Sequence, residues 1–142
     1  MPKLSPTMEE GQISRWLKNE GDVQKANPER VVLVAHSLGC TAIAHWARKF
    51  GTRIKGALLV APSDCEAATY NFDTKGFAPI PLEKLSFRSL VVASADNEYV
   101  SLTRARQFAD AWGSEFVNIG AKGHINAGAG FGEWNEGLEL LK

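Results

Sequence analysis

Cysteine is scarce in this chain. The two present, Cys40 and Cys65, have no metal-ligand spacing, so a disulfide scaffold and a thiolate zinc site are both set aside. They read as free thiols suited to a reducing cytosol. Net charge is also missing: sixteen basic residues cancel sixteen acidic ones, and nothing points to nucleic acid or an anionic membrane as partner. No apolar run is long enough to span a bilayer, and the opening MPKLSPTMEEG lacks the apolar stretch of a secretory signal. There is no internal repeat. No G-x-G-x-x-G follows the first apolar run, which argues against a dinucleotide-binding domain. The expectation is a cytoplasmic protein with no metal or organic cofactor.

What remains is an ordinary globular composition, 44% hydrophobic and 23% charged over 142 residues, enough for one domain with a core. The chain is organised around VVLVAHSLGCTAIAHWARKF, residues 31–50. Val31 to Ala35 reads as a buried strand, His36-Ser37-Leu38-Gly39 as a sharp turn, and Thr41 to Phe50 as a helix. Ile43, Trp46, Ala47 and Phe50 fall on one face of that helix, and Gly51 closes it. A serine between strand and helix is the setting of a nucleophile elbow, whose strained turn exposes the hydroxyl above a parallel sheet. The usual form is G-x-S-x-G. Ala35 stands at the first glycine, a small departure, and Gly39 leaves room for helix and strand to approach.

Strand and helix then alternate, the mark of a parallel sheet. Gly56 to Ala61 is the second strand. Pro62 to Glu83 has no clean period, and a loop of that length in a compact domain is commonly functional; its aromatics suit a substrate lip. Arg88 to Ser94 is the third strand. Ser101 caps a helix with Leu102, Ala105, Ala109 and Trp112 on one face, ending at Gly113. Glu115 to Ile119 is the fourth strand, Gly120 to Gly130 a glycine-rich loop carrying His124, and Glu133 to Leu141 a last helix with Trp134, Leu138 and Leu141 inward.

Catalytic groups of an open parallel sheet gather beyond the carboxyl ends of its strands. Three ends carry chemistry here: Ser37, Asp96 and His124, in the chain order of an α/β-hydrolase triad. Ser37 would attack a carbonyl, His124 would shuttle the proton, and a carboxylate would orient the imidazole. Asp96 is favoured over Asp64 and Glu98 because its strand stands in the expected place. The backbone N–H of Leu38 is the natural first oxyanion donor. His36 reads as structural, pointing away from the site, and His45 as solvated.

The stretches VVLVAHSLGC, GALLVAP, GFAPIP, SLVVAS, RARQFADAWGSEFVNIG, GHINA and GEWNEG make residues 23–142 resemble a family of small bacterial α/β-hydrolases related to retinoblastoma-binding protein 9. The resemblance implies a three-layer α/β-hydrolase-like parallel sheet and a serine hydrolase of esterase type acting on small esters or amides. Ser37 and His124 fall on that family's nucleophile and base. Its catalytic Asp normally precedes a Pro; alignment on Ser94, Tyr99 and Ser101 puts Asn97 there, with Asp96 one residue early, so either could back His124. The family's first strand and the glycine loop supplying a second oxyanion N–H have no counterpart. In their place residues 1–22, with MPKLSPTMEEG, Trp16 and Glu20-Gly21-Asp22, resemble the start of a lipoyl domain of dihydrolipoamide acyltransferases, without its carrier lysine. The expectation is therefore a fusion or truncation: a sheet truncated at its N-terminal strand, impaired turnover, and a homo-oligomer formed through the unpaired edge at Val31. The alternative is a catalytically weak or inactive hydrolase-fold module that binds protein partners.

Overall fold

A computed structural model describes residues 27–141 of the chain. The lipoyl-like segment 1–22, and the approach to the first strand at 23–26, lie outside the described residues. Four strands, β1 (Val32–His36), β2 (Gly56–Val60), β3 (Ser89–Ala93) and β4 (Glu115–Asn118), form one parallel sheet in the order β1-β2-β3-β4. Register runs without interruption, from Val32 opposite Gly56 to His36 opposite Val60, then Leu59 opposite Val91 and Val92 opposite Val117. Each crossover brings the next carboxyl end to the same rim, which is what gathers the site.

Side chains alternate across a strand, and the sheet accordingly divides two cores. Ala57 and Leu59 of β2 and Val91 and Ala93 of β3 face helices α1 (Leu38–Phe50) and α2 (Leu102–Trp112). On the other face Leu58, Val60 and Val92 meet Ile125, with Phe131, Trp134 and Leu140 packed behind them. This is an α/β fold with helices on a parallel sheet, as expected.

Local chemistry sets the helix limits. In α1 the buried stripe is Cys40, Ile43, Ala44 and Ala47, with Trp46 half-buried and Phe50 exposed. The stripe lies closer to the elbow than the sequence pattern suggested, because the helix begins at Leu38 rather than Thr41. In α2, Ser101 Oγ accepts from the Arg104 N–H at 3.1 Å, and Gly113 ends the helix at φ 67°. Phe108 joins the predicted inward residues and stacks on Trp112, with ring centroids 5.2 Å apart.

Two expectations need correcting. The last helix, α3, is only Asn135–Glu139, and Leu138 and Leu141 are exposed rather than inward. Trp134 precedes the helix and turns its ring back over Gly137, where any Cβ would lie 2.2 Å from the ring. A single short turn presents little surface to the sheet. His45 is not solvated either: its ring Nε2 donates to the Phe77 carbonyl at 2.9 Å and ties the long loop to α1.

Among the described residues β1 pairs only with β2. Val32 and Val34, on its outer face, are 40% and 60% exposed. Val34, Leu58, Val60, Trp134, Leu138 and Leu141 line an apolar groove of about 760 Å³ there. Among the described residues no helix is long and apolar enough to cross a membrane.

Candidate active site

The elbow follows from the turn between β1 and α1. Ser37 sits at φ 59° and ψ −127°, outside the regions an L-residue favours. Its N–H donates to the Val60 carbonyl at 3.0 Å, and its own carbonyl accepts from Cys40 at 3.1 Å, so sheet and helix both hold the strained residue. A Cβ on Gly39 would stand 3.4 Å from that of Ala35, at the limit of ordinary contact. Helix and strand thus leave room for Ala at the first position of the motif and for little more at the second.

Ser37 and His124 are brought together, with Oγ 3.0 Å from Nε2. Both are buried, at 0% and 3% exposure. The other ring nitrogen, Nδ1, lies 3.0 Å from Asn97 Oδ1. Asn97 must present its oxygen to the ring, because the same atom accepts the Tyr99 N–H at 3.1 Å and a donor NH₂ could not. His124 therefore carries its proton on Nδ1 and offers Nε2 as acceptor to the Ser37 hydroxyl. The amide NH₂ of Asn97 is buried without a partner.

Asp96 does not reach the ring, which corrects its expected place behind His124. Its carboxylate accepts from Ser94 Oγ and from the Gly123 N–H, both at 2.7 Å, and Ser94 Oγ in turn accepts the Lys122 N–H at 2.9 Å. These bonds, led by that from Ser94, hold its carboxyl below the usual carboxylate range. The physical reason for the swap is local. The turn after β3 spends Asp96 on the loop that carries His124, and the next side chain is the one left facing the imidazole. Of the rivals, Asp64 pairs with Arg104 at 3.3 Å and accepts the Glu66 N–H in a turn, while Glu98 is exposed.

His36 does more than point away. Its ring Nε2 donates to the His124 carbonyl at 2.7 Å, and the two rings meet edge to face with centroids 4.6 Å apart. Burial, and secondarily His36, lowers the His124 pKa to about 4. A neutral imidazole at neutral pH is the form able to take a proton from serine. Tyr99 also packs edge to face on the His124 ring at 4.6 Å, and Tyr70 and Phe72 continue the aromatic wall at 6.3 and 6.0 Å from Tyr99.

The Leu38 N–H opens α1, where no intrahelical carbonyl can accept it. The sequence reading missed Ser63, buried completely, whose Oγ lies 2.8 Å from that of Ser37. Its signal was available: it stands just past the carboxyl end of β2, as Asp96 and His124 stand past theirs. Cys40 and Cys65 are free and buried; burial drives the first thiol far up and, with Glu66 and Asp64, the second to about 11, so neither competes as nucleophile.

The model of the serine hydrolase family matches residues 5–142. The chain belongs to that family. A YdeN-like hydrolase from Pectobacterium atrosepticum is 37% identical with a TM-score of 0.70, over 84% of this chain and 61% of that one. The ydeN gene product of Bacillus subtilis shares the fold at 23% identity and TM-score 0.65, over 85% of this chain and 68% of that one. Over 32 residues the chain is 62% identical to the dihydrolipoyllysine-residue acetyltransferase component of the pyruvate dehydrogenase complex of Rickettsia prowazekii, which is 22% of this chain and 7% of that protein. The chain thus spans about three-fifths of the Pectobacterium hydrolase and a small fraction of the acetyltransferase. Within the serine hydrolase family, the Ser37–His124 pair stands where chain order and strand ends lead one to look for nucleophile and base.

Proposed function

We propose that the protein is an esterase-type serine hydrolase in which Ser37 is the nucleophile, His124 the general base and acid, and Asn97 the group that orients the imidazole. The observation that carries this reading is the 3.0 Å contact between Ser37 Oγ and the Nε2 of a buried, neutral His124. Ser37 attacks the carbonyl carbon of a small ester or amide, and its proton passes to Nε2. The carbonyl electron pair moves onto oxygen, facing the Leu38 N–H at the start of α1. His124 then protonates the departing alcohol or amine, and water repeats the sequence to free the acid. Asn97 supplies the correct tautomer without a negative charge. The wall of Tyr70, Phe72 and Tyr99 favours apolar acyl groups.

Two measurements test it. A fluorophosphonate should form an adduct on Ser37, located by peptide mass, and a short p-nitrophenyl ester should be hydrolysed by the wild type but not by Ser37→Ala. A folded protein that gives neither would favour a hydrolase-fold interaction module, the reading that Asn97 in place of a carboxylate supports. The same proposal keeps the kinship with the relatives of retinoblastoma-binding protein 9 and a cytoplasmic setting, and takes residues 1–22 as a lipoyl-like segment ahead of the hydrolase domain at 23–142. It also takes the β1 edge, with Val32 and Val34 exposed beside it, as the place where a second copy pairs; light scattering of wild type against Val34→Lys checks this, a monomer in both overturning it.

A further inference from the structure

Ser63 takes no part in the mechanism above, yet it touches the nucleophile. Ser37 Oγ and Ser63 Oγ are 2.8 Å apart and both residues are 0% exposed. The direction of this hydrogen bond follows from the other side of the site. Tyr99 N–H fixes the Asn97 oxygen toward His124, so His124 is protonated on Nδ1 and its Nε2 accepts. Ser37 has one proton and it lies on that acceptor. The proton between the two serines therefore belongs to Ser63.

Ser63 is held in place for this. It stands two residues after Ala61, whose N–H donates to the Val92 carbonyl at 2.8 Å and whose φ is 47°, and it precedes Asp64, whose N–H donates to the Tyr99 carbonyl at 2.9 Å. Nearby, the Tyr70 hydroxyl is buried without a hydrogen-bond partner, and burial lifts its pKa to about 12.

We propose that Ser63 is a catalytic residue, a fixed hydroxyl donor to the nucleophilic oxygen; this rests on the reading of Ser37 as nucleophile. In the resting state its O–H aims the Ser37 proton at His124. As Ser37 Oγ forms its bond to the carbonyl carbon, the Ser37 proton goes to Nε2 and Ser63 keeps its own. Its hydrogen bond stabilises the charge that Oγ carries while the proton is in flight. When the acyl enzyme is hydrolysed, Oγ departs with the electron pair of the C–O bond, takes the proton back from His124, and is stabilised by the same donor.

The test uses the full chain and a fluorophosphonate probe, with labelling rates followed against probe concentration. Ser63→Ala should lower the limiting labelling rate roughly 10- to 100-fold, the worth of one hydrogen bond to a charged group, with the half-saturating concentration within about twofold of wild type. Ser63→Cys keeps the volume and donates weakly, and should fall in the same direction. Thermal melts establish that each variant is folded. A folded Ser63→Ala or Ser63→Cys that labels at the wild-type limiting rate overturns the proposal, as does a change confined to half-saturation. Failure of the wild type to label overturns instead the assignment of Ser37 as nucleophile, so the two failures are distinguishable.

Discussion

Asn97 Oδ1 accepts the Nδ1 proton of His124 at 3.0 Å, in the position where a serine hydrolase triad ordinarily carries a carboxylate. An amide there has two separable consequences. It can present the wrong atom and select the wrong tautomer, or it can orient the ring correctly while leaving the imidazolium without a counter-charge. The Tyr99 N–H removes the first by claiming the same oxygen. Only the second applies to this site.

Asn97→Asp should therefore increase turnover. The new carboxylate would occupy the space of an amide whose NH₂ already lacks a partner, so no bond is lost. It would raise the His124 pKa by opposite charge. We expect kcat to rise at least tenfold, short of the ~10⁴-fold that separates Asp from Asn where the tautomer also changes. Steady-state hydrolysis of a p-nitrophenyl ester measures this.

The acid limb of kcat/KM should lie near pH 4, where His124 titrates. A histidine of ordinary pKa, 6.5, would lose activity about two and a half units earlier. The same shift makes stability depend on pH with a definite sign. The folded value lies below the unfolded one, so the unfolded chain binds more protons between them. The contribution is complete above about pH 6.5 and is lost as pH falls toward 4. Thermal melts at pH 7 and pH 5 should show the lower Tm at pH 5, with a smaller difference in His124→Gln.

Asp96 is a positioning residue for the loop of His124. Asp96→Ala removes the acceptor of the Gly123 N–H and of Ser94 Oγ and should lower kcat about tenfold or more. Its pH profile should keep the wild-type acid limb, because the group facing the ring is unchanged. A carboxylate in direct contact with His124 would instead shift that limb when removed. Since the Asp96 pKa is lowered in the fold, its stabilising effect is present above the carboxylate range and disappears on acidification through the folded value.

Gly137→Ala tests the packing behind the sheet. The added methyl would lie 2.2 Å from the Trp134 ring, so the ring must swing off the second core. Overpacking of this kind typically costs about 1–3 kcal/mol. The check is a lower denaturation midpoint together with altered tryptophan fluorescence, while labelling of Ser37 persists at low temperature.

The four strands, the helices after β1 and β3, and the positions of Ser37 and His124 were legible along the chain. Each rests on local signals: runs of Val and Leu, a serine between strand and helix, Ser101 as cap and Gly113 as stop. The role of Asp96 was not legible. One residue of offset in a turn decides whether Asp96 or Asn97 faces the ring, and that depends on where the Tyr99 and Gly123 N–H groups lie. Ser63 was marked only by its place past the carboxyl end of β2, and its contact with Ser37 depends on a neighbour 26 positions away. The short α3 went astray because an apolar period reads the same whether or not a surface exists to receive it.

By itself, then, the sequence determined the parallel sheet and the elbow, since alternation, turn residues and strand-end position act over a few residues each. Only the tertiary structure decided which side chain backs His124, which hydroxyl meets Ser37, and how far the base is displaced from its ordinary pKa. Those outcomes come from hydrogen bonds and burial between distant segments, where differences of an ångström select the partner.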